Sequence, residues 1–339
     1  MHHKSTGLLL AATLLLAASC REIDKFFDEA KPPKLTAKEF ASGLTAPLGL
    51  AIDPKGQIWV TEAGTGTKSD GRVSVITPNG KVHPVITGFA SAISPEGIAA
   101  GLNHLVYQEG ILYILNGVDG KLYQADVTSF KPGDKPIPVA ELASEDIARF
   151  VLDYKFEVDT EFSNIYNLTF GPDGALYIAD AGANAIIRRS KTGQLSVFAA
   201  IPGISNPTAE GPPTIDGVPT GIVYDGEQFL VSTLTGFPFP AGKARIYGID
   251  RAGNVSVYRD GLTSLVDITL GPDNRPLVLQ IADFGPQGFA PRTGKIIRST
   301  AEQSTVVLEG LNLPSDLERR GLKTYYVTSL ADGKVLKVD

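Results

Sequence analysis

The chain is poor in the residues that staple, ligate or attack. Among 339 residues there are one cysteine, one methionine, one tryptophan and four histidines. A lone cysteine makes no internal disulfide and no Cys-X-X-Cys pair. The body of the chain therefore lacks thiolate ligands for haem or an iron–sulfur cluster. No G-x-S-x-G or H-E-x-x-H motif occurs, so neither a nucleophile elbow nor a zinc-protease helix is indicated. No glycine-rich loop joins a strand to a helix, which argues against a phosphate cradle. Basic clusters are missing too: 31 Lys and Arg against 37 Asp and Glu leave a formal charge of -6, a poor balance for nucleic acid. No apolar run reaches the roughly 20 residues of a membrane-spanning helix.

What is present begins with a targeting pattern. His2, His3 and Lys4 precede an apolar run, Leu8 to Leu16, and the small residues Ala17, Ala18 and Ser19. Residues 1–19 thus read as a signal peptide. Cys20 stands directly after them and resembles the lipidated cysteine of the bacterial lipobox, with Ala17 where that motif prefers Leu. A plain secretory cut after Ser19 would use the same small residues. Residues 20–34 read as the lipidated cysteine and a charged tether ending in Pro32-Pro33. The expectation is an exported lipoprotein, periplasmic or at the cell surface, touching the membrane through its lipid anchor only. The mature chain keeps two histidines, His83 and His104.

Residues 35–339 carry one repeated β pattern. An apolar strand leads into a tight turn such as Asp53-Pro54-Lys55-Gly56 or Gly171-Pro172-Asp173-Gly174. A second strand ends on a polar residue, and third and fourth strands follow. First strands start near Leu48, Asn103, Tyr166, Thr220, Val266 and Ser315, about 46–63 residues apart. Four-stranded units at this spacing predict an all-β fold, a six-bladed β-propeller. The last unit has room for three strands, and an unpaired strand, residues 35–44, precedes the first. That N-terminal strand is expected to close the last blade and hide its edge. One short helical insertion is predicted over 141–157, where Ala143, Ile147, Phe150, Val151 and Tyr154 follow helical spacing and Ser144 supplies a cap. It reads either as a lid or as packing that seals the channel.

First-to-second turns are short, as are third-to-fourth turns except in blade two (126–138), whereas the long loops 64–71, 235–242, 282–294, 89–102, 141–163 and 202–218 belong to the other face. Long loops on a rigid scaffold commonly carry binding. In TGFPFPAG (235–242), Phe237 and Phe239 between prolines make a stiff apolar tip suited to an apolar or aromatic ligand. Alignment of the first strands puts Gly49, His104, Asn167, Gly221, Asp267 and Asp316 at equivalent inner positions, with Glu62, Asn116 and Asp180 at second-strand ends nearby. Carboxylates, an amide carbonyl and an imidazole on one ring suggest a metal site of His104, Asn167, Asp267 and Asp316, with Ca²⁺ as the candidate ion. The bland reading is a polar channel whose groups hydrogen-bond backbone and water.

Residues 163–186, 218–247, 261–281 and 43–66 resemble the ScyD/ScyE family, propeller proteins named for scytonemin biosynthesis. DAGAN (180–184) and the pair PTG (219–221) and TGFPFPAG are the specific motifs, and Asp180 and Asn184 within the first are candidate ligand contacts. The resemblance implies export and a propeller fold, and no established reaction. KFEVDTEF (155–162) departs from an Asn-Pro-Asp-Gly stretch that members often carry there. The spacing of Asn167 and Asp180 is also similar to NHL and gluconolactonase-type propellers. The leading expectation is a non-catalytic binding module at the cell envelope, for a small molecule or an envelope protein. The alternative is a metal-dependent hydrolase or lactonase with its site at the channel mouth.

Overall fold

β-Branched and aromatic residues alternate between glycine and Asx turns along the whole body of the chain, and they pair into six antiparallel sheets of four strands, one of which gains a short fifth, parallel strand. Residues 34–94, 97–157 and 160–339 are described by a computed structural model. The expected signal peptide, Cys20 and all but the last residue of the expected tether lie outside them. Leu35–Asp339 is one compact unit, a six-bladed β-propeller. Its innermost strands are Pro47–Ile52, Leu102–Gln108, Ile165–Phe170, Pro219–Tyr224, Leu265–Leu270 and Pro314–Arg320. No helix among the described residues is long and apolar enough to cross a membrane.

The ring closes as the strand count required. Ala37–Ser42 pairs antiparallel with Lys334–Val338 and becomes the outer strand of blade six. Its chain then runs straight into blade one, so one segment links the first and last blades.

The core is divided into six apolar clusters, one in each gap between neighbouring blades. The gap between blades six and one holds Ala41, Leu50, Ile58, Val60, Tyr326 and Val335, all buried. Each fully buried Leu, Ile or Val side chain contributes roughly 1.5–3 kcal/mol relative to exposure.

Blade two differs from the sequence reading. The helix predicted over 141–157 is shorter, Ile147–Asp153, and is capped by Asp146 Oδ1, which accepts from Arg149 N at 2.9 Å, not by Ser144. The preceding Ala143–Asp146 is the fourth strand of the blade, paired with Lys121–Gln124. The long loop before it instead sends Ile137–Pro138 across to lie parallel with Ile86–Thr87 of blade one. Ile147 and Val151 join the apolar cluster between blades two and three, so the helix is an inter-blade wedge rather than a lid.

Candidate functional site

Every inner strand is interrupted by a β-bulge near its start, at Pro47/Leu50, Leu102/Leu105, Ile165/Asn167, Pro219/Gly221, Leu265/Asp267 and Pro314/Leu317. A bulge adds a residue to one strand and re-aims its side chain. The bulged positions are the aligned ring of Gly49, His104, Asn167, Gly221, Asp267 and Asp316.

The two glycines stand on blades one and four, opposite each other. A Cβ on Gly49 would lie 2.6 Å from His104 Cα, and one on Gly221 would lie 2.6 Å from Ile268 N. With no side chain there, groups on the flanking blades meet across the gap. His104 Nε2 on blade two approaches Asp316 Oδ2 on blade six at 3.4 Å. Asn167 Nδ2 on blade three donates to Asp267 Oδ1 on blade five at 2.9 Å. His104, Asp267 and Asp316 thus bring three ligand-type atoms within 4.8 Å of one another.

Part of this polarity is structural, because neighbouring inner strands are stitched by side chains. Leu50 N donates to Asp316 Oδ2 and Leu317 N to Asp267 Oδ2, each at 2.8 Å. Thr220 Oγ1 donates to Leu265 O at 3.0 Å, and Asn103 Nδ2 to Ile165 O at 2.8 Å. The stitching does not use every atom. Asp316 Oδ1 is buried without a hydrogen-bond partner, which is costly for a carboxylate oxygen.

His104 has a matching conflict. Its Nδ1 lies 3.0 Å from Tyr166 O, and its Nε2 lies 3.3 Å from Ser315 O as well as facing Asp316. A neutral imidazole has one N–H. Whichever nitrogen holds it, the other points its lone pair at oxygen.

Burial sets the electrostatics. It lowers the His104 pKa to about 4, so the ring is neutral at pH 7. It pushes Asp267 up to about 7. Asp316 is raised well above the ordinary range by burial and then by the charges of Asp267 and Glu318. Glu318, two residues further along the same strand, is raised to about 8 by burial and by Asp267. Burial, Asp267 and Asp316 also raise the Tyr166 phenol. Three carboxyls compete for charge at one place, a setting that a cation relieves.

The ring lies deeper than the mouth expected on the loop-rich face. His104 and Asp316 are 2 % exposed, Asp267 5 % and Asn167 6 %. The inner strands become partly exposed chiefly towards their C-terminal ends, at the short-turn face. Glu318 is half-buried at that end.

Other expected contacts have different duties. Asn167 is engaged at both ends of its amide, since its Oδ1 accepts from Leu168 N at 2.7 Å. It orients Asp267 instead of offering a free carbonyl. Asp180 is fully buried and accepts from Ser163 Oγ and the N–H groups of Asn164, Gly182 and Ala183. Asn184 bonds Asp216 and Val218 N and ties blade three to blade four. The polar atoms of this motif thus hold loops in place. Glu62 is likewise buried, with Arg72 and Ser74 on its carboxylate.

Phe237 is 55 % exposed. Phe239 packs against Phe284 and Phe289 at ring-centroid distances of 4.7 and 5.2 Å. The tip of blade four is therefore half of a four-ring cluster shared with the 284–289 hairpin of blade five. The sequence reading missed Phe284, Phe289 and Glu318. For Glu318 a signal existed: it is the one charged residue two places after the ring positions.

No known family's sequence profile matches the chain, and no curated protein matches it. Solved structures do. A candidate gluconolactonase aligns at 13% identity over 92% of this chain and 94% of its own, with a TM-score of 0.55. The PQQ-bound aldose sugar dehydrogenase of Streptomyces coelicolor aligns at 16% identity over 91% and 99%, with a TM-score of 0.57. A streptogramin B lyase aligns at 15% identity over 90% and 98%, with a TM-score of 0.54. At such identities the likeness is one of fold.

Proposed function

We propose that this chain is an exported, ScyD/ScyE-like propeller, held at the cell envelope by a lipid on Cys20, whose channel binds a divalent cation and hydrolyses a small ester or lactone. The carrying observation is the convergence of His104, Asp267 and Asp316 within 4.8 Å, with Asp316 Oδ1 unpartnered. A divalent cation there, when bound, supplies Lewis acidity toward a carbonyl oxygen and acidifies a coordinated water. Asp267 and Asp316 balance its charge, and Asn167 fixes the Asp267 carboxylate. Glu318 stands two residues beyond Asp316, at the partly exposed end of the channel. The propeller enzymes among the similar folds, including the candidate gluconolactonase, lend analogy and no more.

The test is metal content together with turnover. The purified chain should carry one cation, and an ester and lactone panel should yield a substrate whose hydrolysis stops on chelation and in Asp267→Ala. Metal-free protein of full stability, inert with added cations, would end this reading.

A second reading, a binding module for a small molecule or an envelope protein, is favoured by the exposed Phe237 and the rings behind it. It predicts ligand responses that Phe237→Ala abolishes and chelation leaves alone.

A further inference from the structure

We infer that the ion this channel takes is a first-row transition-metal dication of the zinc and cobalt class, not calcium, held by His104 Nε2 and one oxygen each of Asp267 and Asp316. The inference rests on the proposed cation site and goes further by naming the ion and reassigning Asn167 as a positioning residue.

The donor inventory decides it. Calcium takes six to eight oxygens, and a hard-ion site is built from carboxylates, carbonyls and water. The amide that would have added a carbonyl is turned to the protein, because Asn167 Nδ2 donates to Asp267 and its Oδ1 already accepts from Leu168 N. A nitrogen stands in its place. Imidazole suits zinc, copper, iron and nickel, whereas hard alkaline-earth ions prefer oxygen.

The imidazole is also set as metal-bound histidines are. With its proton on Nδ1, donated to the Tyr166 carbonyl at 3.0 Å, Nε2 keeps a lone pair 3.4 Å from Asp316 Oδ2 and 3.3 Å from Ser315 O. A backbone carbonyl behind a ligating histidine fixes both tautomer and ring angle. The 3.4 Å between Nε2 and Asp316 Oδ2 matches two neighbouring ligands each at about 2.1 Å from one ion in a tetrahedral site. Asp316 Oδ1, 2 % exposed with its residue and unpartnered, is a further donor already stripped of water. Two carboxylates offset the double charge, so a dication leaves the buried site neutral.

Full-length chain freed of metal with a chelator is titrated with Zn²⁺, Co²⁺, Ca²⁺ and Mg²⁺ by calorimetry. We expect a single Zn²⁺ or Co²⁺ site at least about 100-fold tighter than Ca²⁺. His104→Ala should remove that preference, Asn167→Ala should weaken Zn²⁺ about 10–100-fold, and His83→Ala should change nothing. Calcium binding as tightly as zinc in the wild-type chain overturns the inference, and that comparison needs no variant to fold. Retention of full zinc affinity by a folded His104→Ala, or its loss in His83→Ala, also overturns it. A chain that binds zinc yet hydrolyses nothing removes the proposed reaction and keeps this inference. A calcium-preferring chain with chelator-sensitive turnover does the reverse.

Discussion

His104 reaches Asp316 across two blade boundaries, at 3.4 Å, because the blade between them has Gly49 at the same ring position. Gly221 plays the equivalent part between Asn167 and Asp267. Both glycines have neighbouring backbone where a methyl group would go, and backbone cannot rotate aside.

Gly49→Ala and Gly221→Ala should therefore each cost about 1–3 kcal/mol or more from overpacking. Each kcal/mol lowers the melting temperature by about 2–4 °C in a large domain. Thermal denaturation measures this, and a melting temperature unchanged in both variants would contradict the close approach. Gly242→Ala has open space around it but a φ of +73°, so its cost should come from backbone strain alone and leave metal binding intact.

The buried carboxyls predict a pH dependence for the metal-free protein. Asp267 and Glu318 have folded values of about 7 and about 8 against ordinary values of 3.8 and 4.5. Folding therefore favours their protonated forms. That contribution is fully present below the ordinary values and disappears as pH rises through the raised ones. The melting temperature of chelated protein should fall between about pH 4 and pH 8 and level off above that. A combined Asp267→Asn, Glu318→Gln variant should flatten the fall. A curve as steep as wild type in that variant would remove these carboxyls as its source.

Ring closure has its own test. Deleting the chain through Ser42 leaves Lys334–Val338 paired on one side only and removes Ala41 from the gap between blades six and one. The loss should exceed about 3 kcal/mol on burial grounds alone, and the bared edge should promote association. Denaturant unfolding and light scattering read both. A monomer of wild-type stability would mean the outer strand of blade six is dispensable.

The aromatic tip should divide cleanly. Phe237→Ala, at an exposed ring, should change stability by no more than about 0.5 kcal/mol. Phe239→Ala removes contacts with Phe284 and Phe289 and should cost about 1–3 kcal/mol. Equal losses in the two would show that Phe237 is packed.

The blades and their closure were legible because repetition and strand alternation are written residue by residue. The ring was legible as an alignment of six positions. Blade two was misread because Ala143–Asp146 is a four-residue strand whose side chains are mostly exposed, so no apolar alternation marks it, and its residues also fit helical spacing. Asp180 and Asn184 stood out as motif residues, yet their partners, Ser163, Asp216 and Val218, are fixed only when the loops fold. The spent amide of Asn167 was equally invisible, since its partner Asp267 lies 100 residues away on another blade. The bulges that aim the ring inward leave no trace in composition.

The central claim is that a cation completes the site formed by His104, Asp267 and Asp316. Anomalous difference maps from crystals of the metal-loaded chain, collected on both sides of the zinc absorption edge, test it most directly. One peak within about 2.0–2.2 Å of His104 Nε2 and of an oxygen from each aspartate is the predicted result. A channel in which Asp316 Oδ1 meets only water, with no anomalous peak at full zinc loading, would contradict it.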